Sequence, residues 1–185
     1  MNDFLNSTFL PHLDGRIDGQ GPFHYRFQSW DSLLSLLFVA DPDYNPKPWL
    51  SLPGARPWIK YTIMLLVAGG TFIGVKRIMM FPEQWKLNGY IGLTGVAAFA
   101  ILPATATYHF LLLVFPVLLL LLIPTLDRMF KWTIVILYAG IGLIPYSFFE
   151  YLGNNWGALL GFPRLWTVTL LFIVTLVAVL KPPNR

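Results

Sequence analysis

Five long apolar segments most constrain how this chain can fold. They run from about residue 58 to 75, 87 to 102, 109 to 123, 132 to 149 and 165 to 180. Beyond Lys60, none of them contains an Asp, Glu, Lys or Arg. Uncharged apolar segments of roughly 17–25 residues are typical of helices that cross a bilayer. We therefore predict an all-α fold, a polytopic membrane helical bundle of about five transmembrane helices.

The third segment is the most apolar of the five. Its eight leucines alone favour membrane insertion by about 4 kcal/mol, at roughly 0.5 kcal/mol each. Pro116 interrupts it, which is tolerable where a neighbouring helix or a kink satisfies the freed carbonyl. Glycines of the second segment, among them Gly92 and Gly95, predict close helix packing.

The composition agrees with the membrane class and excludes several functions. Only 12% of the 185 residues are charged, against about 25% in an average soluble domain. The absence of cysteine excludes disulfides and thiolate ligands. The histidines His12, His24 and His109 are scattered, so we predict no metal site and no cofactor. The basic residues punctuate the loops, which argues against nucleic acid as a partner.

The first 57 residues differ from the rest and form a predicted segment outside the membrane. They contain six of the nine acidic residues and dense turn signals. One short helix is expected from Ser29 or Asp31 to Phe38, with Ser29 as N-cap and Asp31 at the positive end of the helix dipole. It is too short to span and is expected to lie on the interface. The predicted domains are residues 1–57 and 58–185.

The basic residues predict the orientation. Five spans put the termini on opposite sides, and the side with more Lys and Arg is cytoplasmic. Seven basic residues lie on the side of the C-terminus and four near the spans on the other: Lys76, Arg77, Lys86, Arg128, Lys131, Lys181 and Arg185, against Lys47, Arg56, Lys60 and Arg164. We therefore expect an extracytoplasmic N-terminus and a cytoplasmic C-terminus. The inverted topology is the alternative.

The loop from Pro103 to His109 carries polar groups at a predicted helix start. Thr105, Thr107 and Tyr108 supply hydroxyls, and His109 opens the leucine-rich segment. A helix N-terminus offers free N–H groups and a positive dipole end, which bind phosphate. The pattern predicts an anionic or sugar-phosphate head group held by Tyr108 and His109. The alternative is an interfacial pair that only anchors the helix end.

The stretch His24–Leu34 holds a second set of polar residues, Arg26, Gln28 and Ser29, beside Trp30. Arginine is a natural partner of phosphate, and glutamine and tryptophan commonly contact sugars. The functional prediction is that this set binds phosphate or sugar. The alternative is an ordinary aromatic anchor at the entry to an interfacial helix.

Together the two stretches resemble glycosyltransferase family 87, polytopic GT-C-type enzymes that use polyprenyl-phosphate sugars. Phe27-Gln28-Ser29 is similar to a polar element that precedes a pair of spans in that family. A short extracytoplasmic loop and a leucine-rich helix with an internal proline are matched by Pro103, Tyr108, His109 and Pro116. Leu102 stands where the family often has Ser. The resemblance covers about residues 22 to 125, and more loosely the last two spans.

The resemblance implies inverting transfer of a hexose or pentose from a lipid-phosphate donor, with a carboxylate removing the acceptor proton. It implies that Tyr108 and His109 bind the donor phosphate and that Arg26 and Gln28, beside Ser29, orient phosphate or sugar. The family's key aspartate lies in a loop between two spans, and no aspartate of this chain is so placed. We therefore expect the C-terminal part of a longer protein, with the catalytic residue unassigned.

A non-catalytic role is the main alternative. The chain would then be an accessory or structural transmembrane subunit of a larger membrane complex. Either reading predicts an integral protein of the bacterial inner (plasma) membrane, with membrane lipid and other membrane chains as partners. A transporter is a weaker alternative, because transporters usually place ionisable residues at mid-membrane. The signatures HExxH and GxSxG are absent.

Overall fold

The structure, a computed structural model, describes residues 23–25, 27–103, 105, 107–145 and 155–181. In these ranges six α-helices follow one another: α1 Trp30–Phe38, α2 Ala55–Ile78, α3 Glu83–Ile101, α4 Val114–Leu121, α5 Arg128–Leu143 and α6 Pro163–Leu180. Two 3₁₀ helices, Thr107–Leu113 and Asn155–Leu159, accompany them. The described residues contain no strand, only an isolated bridge between Asp41 and Asn45. The all-α prediction is confirmed for them.

All five predicted apolar segments contain helix, but they differ in length and polarity. Within the described ranges, two helices, α2 and α6, are long and apolar enough to cross a membrane, by length and composition. Helix α3 opens with polar residues, α5 has 16 residues, and the helical part of the third segment, Tyr108–Leu121, is short. Crossing by these three stays a prediction. Residues 146–149, the predicted end of the fourth segment, lie outside the described residues.

Contacts divide the chain into two compact units. Unit 1 comprises the described residues within Met1–Ile63, Leu102–Thr107 and Pro145–Leu165. Unit 2 comprises those within Met64–Ile101, Tyr108–Ile144 and Trp166–Arg185. The boundary predicted between residues 57 and 58 divides the chain by its location relative to the membrane. The two units divide it by contacts, so the predicted boundary stays a prediction.

Helix α1 of unit 1 begins as the sequence predicts. Ser29 is its N-cap in an extended conformation, and its hydroxyl accepts a hydrogen bond from the Ser32 N–H at 3.3 Å. This bond satisfies one of the donors left free at a helix start. Asp31 lies in the first turn, where the helix dipole favours a negative charge.

The end of α1 is closed by a buried asparagine, Asn45. Its Nδ2 donates to the carbonyl oxygens of Leu36 at 2.9 Å and Val39 at 2.7 Å. Asp41 shapes the connecting turn, since its Oδ1 accepts from the backbone N–H groups of Asp43 and Tyr44, both at 3.0 Å. Asn45 therefore pairs two carbonyls at the end of α1, and the backbone N–H groups of Leu50 and Leu52 pair those of Leu37 and Phe38, as the free carbonyls of a helix end require.

Helix α1 is a core helix of unit 1, which corrects the expectation of a helix lying on the interface. Every residue from Asp31 to Phe38 is buried. Its leucines pack in one apolar cluster with Ala158, Phe162 and Leu165. An interfacial helix needs an exposed polar face. Part of the cover of α1, from Ala158, Phe162 and Leu165, comes from chain more than 100 residues away, so the periodicity of α1 alone did not show that it is buried.

The internal proline of the leucine-rich segment explains why its helix has two parts. Residues Thr107–Leu113 are 3₁₀, and α4 begins at Val114, so Pro116 lies in the first α turn. Proline has no N–H to donate, and donors of a first turn need no partner within the helix. Two glycines of α3 make room for it. A Cβ at Gly95 would lie 2.8 Å from the Pro116 Cβ, and one at Gly92 2.5 Å from the Leu120 Cγ.

Candidate functional site

Gln28 holds three backbone segments of unit 1 together. Its Nε2 donates to the carbonyl oxygens of Tyr25 at 2.7 Å and Gly161 at 3.1 Å. Its Oε1 accepts from the backbone N–H of Arg164 at 3.1 Å. The residue is 1% exposed. Both amide hydrogens are therefore engaged inside the protein, and the predicted contact with a sugar would require these bonds to be exchanged. That role stays a prediction.

The loop that begins at Pro103 is joined to the Gln28 stretch within unit 1. The Gln28 N–H donates to the Thr105 carbonyl at 3.2 Å, and the Thr105 hydroxyl donates to the Gln28 carbonyl at 2.7 Å. Thr105 is 1% exposed. Two stretches that the sequence analysis singled out separately are thus connected by a reciprocal pair of hydrogen bonds.

Two other residues of the stretch His24–Leu34, Ser29 and Arg26, were predicted to belong to the site. Ser29 is buried, and its hydroxyl, besides accepting from the Ser32 N–H, lies 3.2 Å from the Ser32 hydroxyl. Its oxygen therefore caps the N-terminus of α1. Arg26 lies outside the described residues. The predicted substrate contacts of both stay predictions.

A buried ion cluster next to Gln28 and Ser29 was missed by the sequence analysis. The carboxylate of Asp31, 2% exposed, receives Lys60 Nζ at 2.8 Å and Arg56 Nη2 at 3.2 Å on the same oxygen, Oδ1. The side chains of Arg56 and Lys60 are 24% and 20% exposed. The two basic residues are four apart and so share one face of α2. We call these three residues the Asp31 cluster.

The Asp31 cluster brings two cations to one buried carboxylate. A buried carboxylate is stable only when it is paired, which accounts for one cation. Both basic side chains remain partly exposed, whereas the carboxylate that they pair with is buried. Arginine suits phosphate through its planar donor pair, and lysine acts as a point charge.

Tyr108 and His109 lie together in unit 2. They belong to the 3₁₀ helix Thr107–Leu113, so they precede the α-helical part of the segment that His109 was expected to open. Their rings are 4.3 Å apart between centroids and inclined by 53°. Tyr108 is 63% exposed. The structure therefore groups the predicted site residues by unit, with Gln28 and Ser29 in unit 1 and Tyr108 and His109 in unit 2.

No metal-binding arrangement occurs in the part of the chain that the structure describes, where no three His, Cys, Asp or Glu side chains are grouped to hold an ion. No protein family, curated protein or solved structure matches this chain. The likeness to glycosyltransferase family 87 therefore depends on its sequence motifs alone.

Proposed function

We propose that this chain is an integral membrane protein that binds a polyprenyl-phosphate sugar donor, as part of a GT-C-type glycosyltransferase. The observation that carries the proposal is the Asp31 cluster, in which two partly exposed cations meet one buried carboxylate in a chain that is 56% hydrophobic. In this proposal the transfer is inverting. The carboxylate that removes the acceptor proton is not one of the site residues named above.

Exposed apolar side chains support the membrane location. Only 11% of the apolar window of α2 is buried, unlike a core helix of a soluble protein. Large hydrophobic residues of α2, α4, α5 and α6 are more than 45% exposed: Leu65, Leu66, Phe72, Ile73, Phe115, Leu118, Ile136, Leu143, Leu170, Ile173 and Val177. Many large apolar side chains exposed on several helices are unusual for a soluble monomer and normal against lipid. The proposed site is the bacterial inner membrane, with the N-terminus extracytoplasmic.

The charge of the proposed donor complements the Asp31 cluster. A sugar linked to a polyprenyl chain through one phosphate is a phosphodiester with a single negative charge. The side chains of Arg56 and Lys60 are cations and are partly exposed, so they suit contact with a negatively charged head group. Arg56 and Lys60 lie near the start of α2, whose residues after Lys60 are uncharged as far as Val75. A charged head group and an apolar tail therefore both find suitable surroundings along α2.

The test is donor binding by purified protein in neutral detergent, with a short-chain polyprenyl-phosphate hexose as the probe. We expect Arg56→Gln and Lys60→Gln to weaken binding by about 10-fold each, since a charge-assisted hydrogen bond contributes about 1.5–3 kcal/mol. Lys47→Gln is the matched control, because Lys47 is exposed in the same unit and should leave binding unchanged. Wild-type affinity in both cluster variants would refute the proposal.

The residues taken from the family resemblance are tested separately. Tyr108 and His109 are proposed to bind donor phosphate, and Arg26, Gln28 and Ser29 to orient phosphate or sugar. Replacing His109 by Ala should raise the apparent binding constant for the donor. A binding constant equal to that of the wild type would remove His109 from the site while leaving the Asp31 cluster untouched.

A non-catalytic membrane subunit is the second candidate. The observation that favours it is the full engagement of the Gln28 amide hydrogens in bonds within unit 1, as expected of a structural residue. Its apolar surfaces would then contact other membrane chains. Purification at native expression separates the two candidates. A stoichiometric partner chain together with no donor binding supports the subunit, and donor binding supports the transferase component.

A further inference from the structure

A small basic cavity lies within unit 2, at the ends of α2 and α6. It has a volume of about 170 Å³, and its lining includes Arg77 from α2, Lys181 from just after α6, and Thr125 from the turn before α5. One water takes about 30 Å³ of liquid volume, so the cavity is larger than a single-water site. Apolar side chains, Met80 and Leu126 among them, complete the wall. The cavity combines charge with apolar surface.

Arg77 is a cation whose charge is not compensated by the described residues. Its Nε is buried and has no hydrogen-bond partner there. Its Nη1 donates to the Met80 sulfur at 3.3 Å, and a thioether is a weak acceptor. No carboxylate of the described residues forms an ion pair with it. Because a buried unpaired donor is costly, an oxygen-rich ligand is the partner that this guanidinium lacks.

The second cation leaves the cavity with a net positive charge. Lys181 Nζ pairs with Asp127 Oδ2 at 3.2 Å, so one carboxylate balances one of the two cations. Favourable contact with the negative ends of α2 and α6 explains why basic residues stand here. It does not provide a hydrogen-bond acceptor for the buried Arg77 Nε, which has no partner among the described residues.

We propose that this cavity binds the phosphate head group of an anionic membrane lipid. A phosphate supplies the negative charge and the acceptor oxygens that Arg77 and Lys181 need, and the acyl chains extend over neighbouring apolar surface. Basic pockets between membrane helices bind such head groups elsewhere. The inference rests on the membrane location proposed above but not on the glycosyltransferase activity. The shared chemistry, a phosphate ester, is also that of a soluble phosphate, which the experiment distinguishes.

The experiment measures thermal stability of the purified protein in neutral detergent, followed by the fluorescence of its seven tryptophans. Phosphatidylglycerol and phosphatidylcholine with identical acyl chains are titrated in parallel. We expect phosphatidylglycerol to raise Tm more than phosphatidylcholine does. The apparent dissociation constant for phosphatidylglycerol should rise about 10-fold in Arg77→Gln and in Lys181→Gln. Arg128→Gln is the control, since Arg128 is exposed in unit 2 and does not line the cavity.

The outcomes separate the alternatives. Phosphatidylglycerol stabilisation that is unchanged in both cavity variants overturns the proposal. An equal, Arg77-dependent shift with soluble glycerol phosphate at the same concentration shows a site for free phosphate and overturns the lipid assignment. If Arg77→Gln does not fold, Arg77→Lys keeps the charge and removes the planar donor pair, and it should still bind more weakly than the wild type. Failure of the membrane location itself would appear instead in membrane fractionation, before any lipid is added.

Discussion

Replacing Gln28 by leucine tests the hydrogen-bond network that connects unit 1. The substitution keeps an apolar side chain of similar size but removes three bonds, from Nε2 to Tyr25 and Gly161 and from the Arg164 N–H to Oε1. Three backbone groups lose their hydrogen bond to residue 28. Each buried unsatisfied group costs about 1–3 kcal/mol, and the part-buried Tyr25 carbonyl counts at the low end. We expect a loss of about 3 kcal/mol in the free energy of unfolding.

The assay is thermal unfolding in detergent, where a loss of about 3 kcal/mol lowers Tm by roughly 6–12 °C for a chain of this size. Gln28→Glu should lose more, because it keeps an acceptor for Arg164 but turns a negative charge toward two carbonyl oxygens. Gln84→Leu is the matched control on an exposed position of α3, expected within about 0.5 kcal/mol of the wild type. A Gln28→Leu protein that melts with the control would refute the structural role of Gln28.

Three further changes probe packing and charge in the same assay. Asn45→Ala removes the hydrogen bonds that close α1 and should lower the free energy of unfolding by about 2 kcal/mol. Asn45→Asp cannot donate these bonds and should lower it by as much. An Asn45→Asp protein as stable as the wild type would contradict the donor role of Asn45. Gly92→Ala puts a Cβ 2.5 Å from the Leu120 Cγ and should destabilise the protein by about 1–3 kcal/mol. Gly69→Ala meets nothing within 4 Å and should stabilise it by up to about 1 kcal/mol. Equal changes in stability would contradict close packing at Gly92. Asp31→Asn leaves the two cations of the Asp31 cluster without their carboxylate and should lower the free energy of unfolding by about 2–3 kcal/mol. The loss is smaller than for a fully buried ion pair, because Arg56 and Lys60 are partly exposed. An unchanged Tm would mean that the Asp31 cluster does not stabilise unit 1.

Local features of the fold could be predicted from the sequence. The N-cap at Ser29 follows from its position before an apolar run with an acidic first turn. The helices of the apolar segments follow from composition and from Pro103 and Pro124 as boundaries. Pro116 was expected to require a kink or a neighbouring helix. The 3₁₀ helix before it and the glycines of α3 show how it is accommodated.

The arrangement of the candidate site could not be predicted, because its contacts join distant parts of the chain. Gln28 bonds to residues more than 130 positions away, and Asp31 pairs with Arg56 across 25 positions. In the sequence, Arg56 and Lys60 stand out only as positive charges near the first span, where they bear on topology. Two signals were present: their spacing of four at the start of an apolar helix, and a single aspartate within a leucine-rich helix. Neither indicates which residues meet without the fold.

Alkaline carbonate extraction of membranes tests the central claim, that lipid covers the exposed apolar faces of this chain. Peripheral proteins are released at high pH, while proteins whose helices cross the bilayer remain in the pellet. We expect the full chain to stay with the membrane pellet and to become soluble only in detergent. Recovery of the chain in the carbonate supernatant, folded and monodisperse without detergent, would contradict the account.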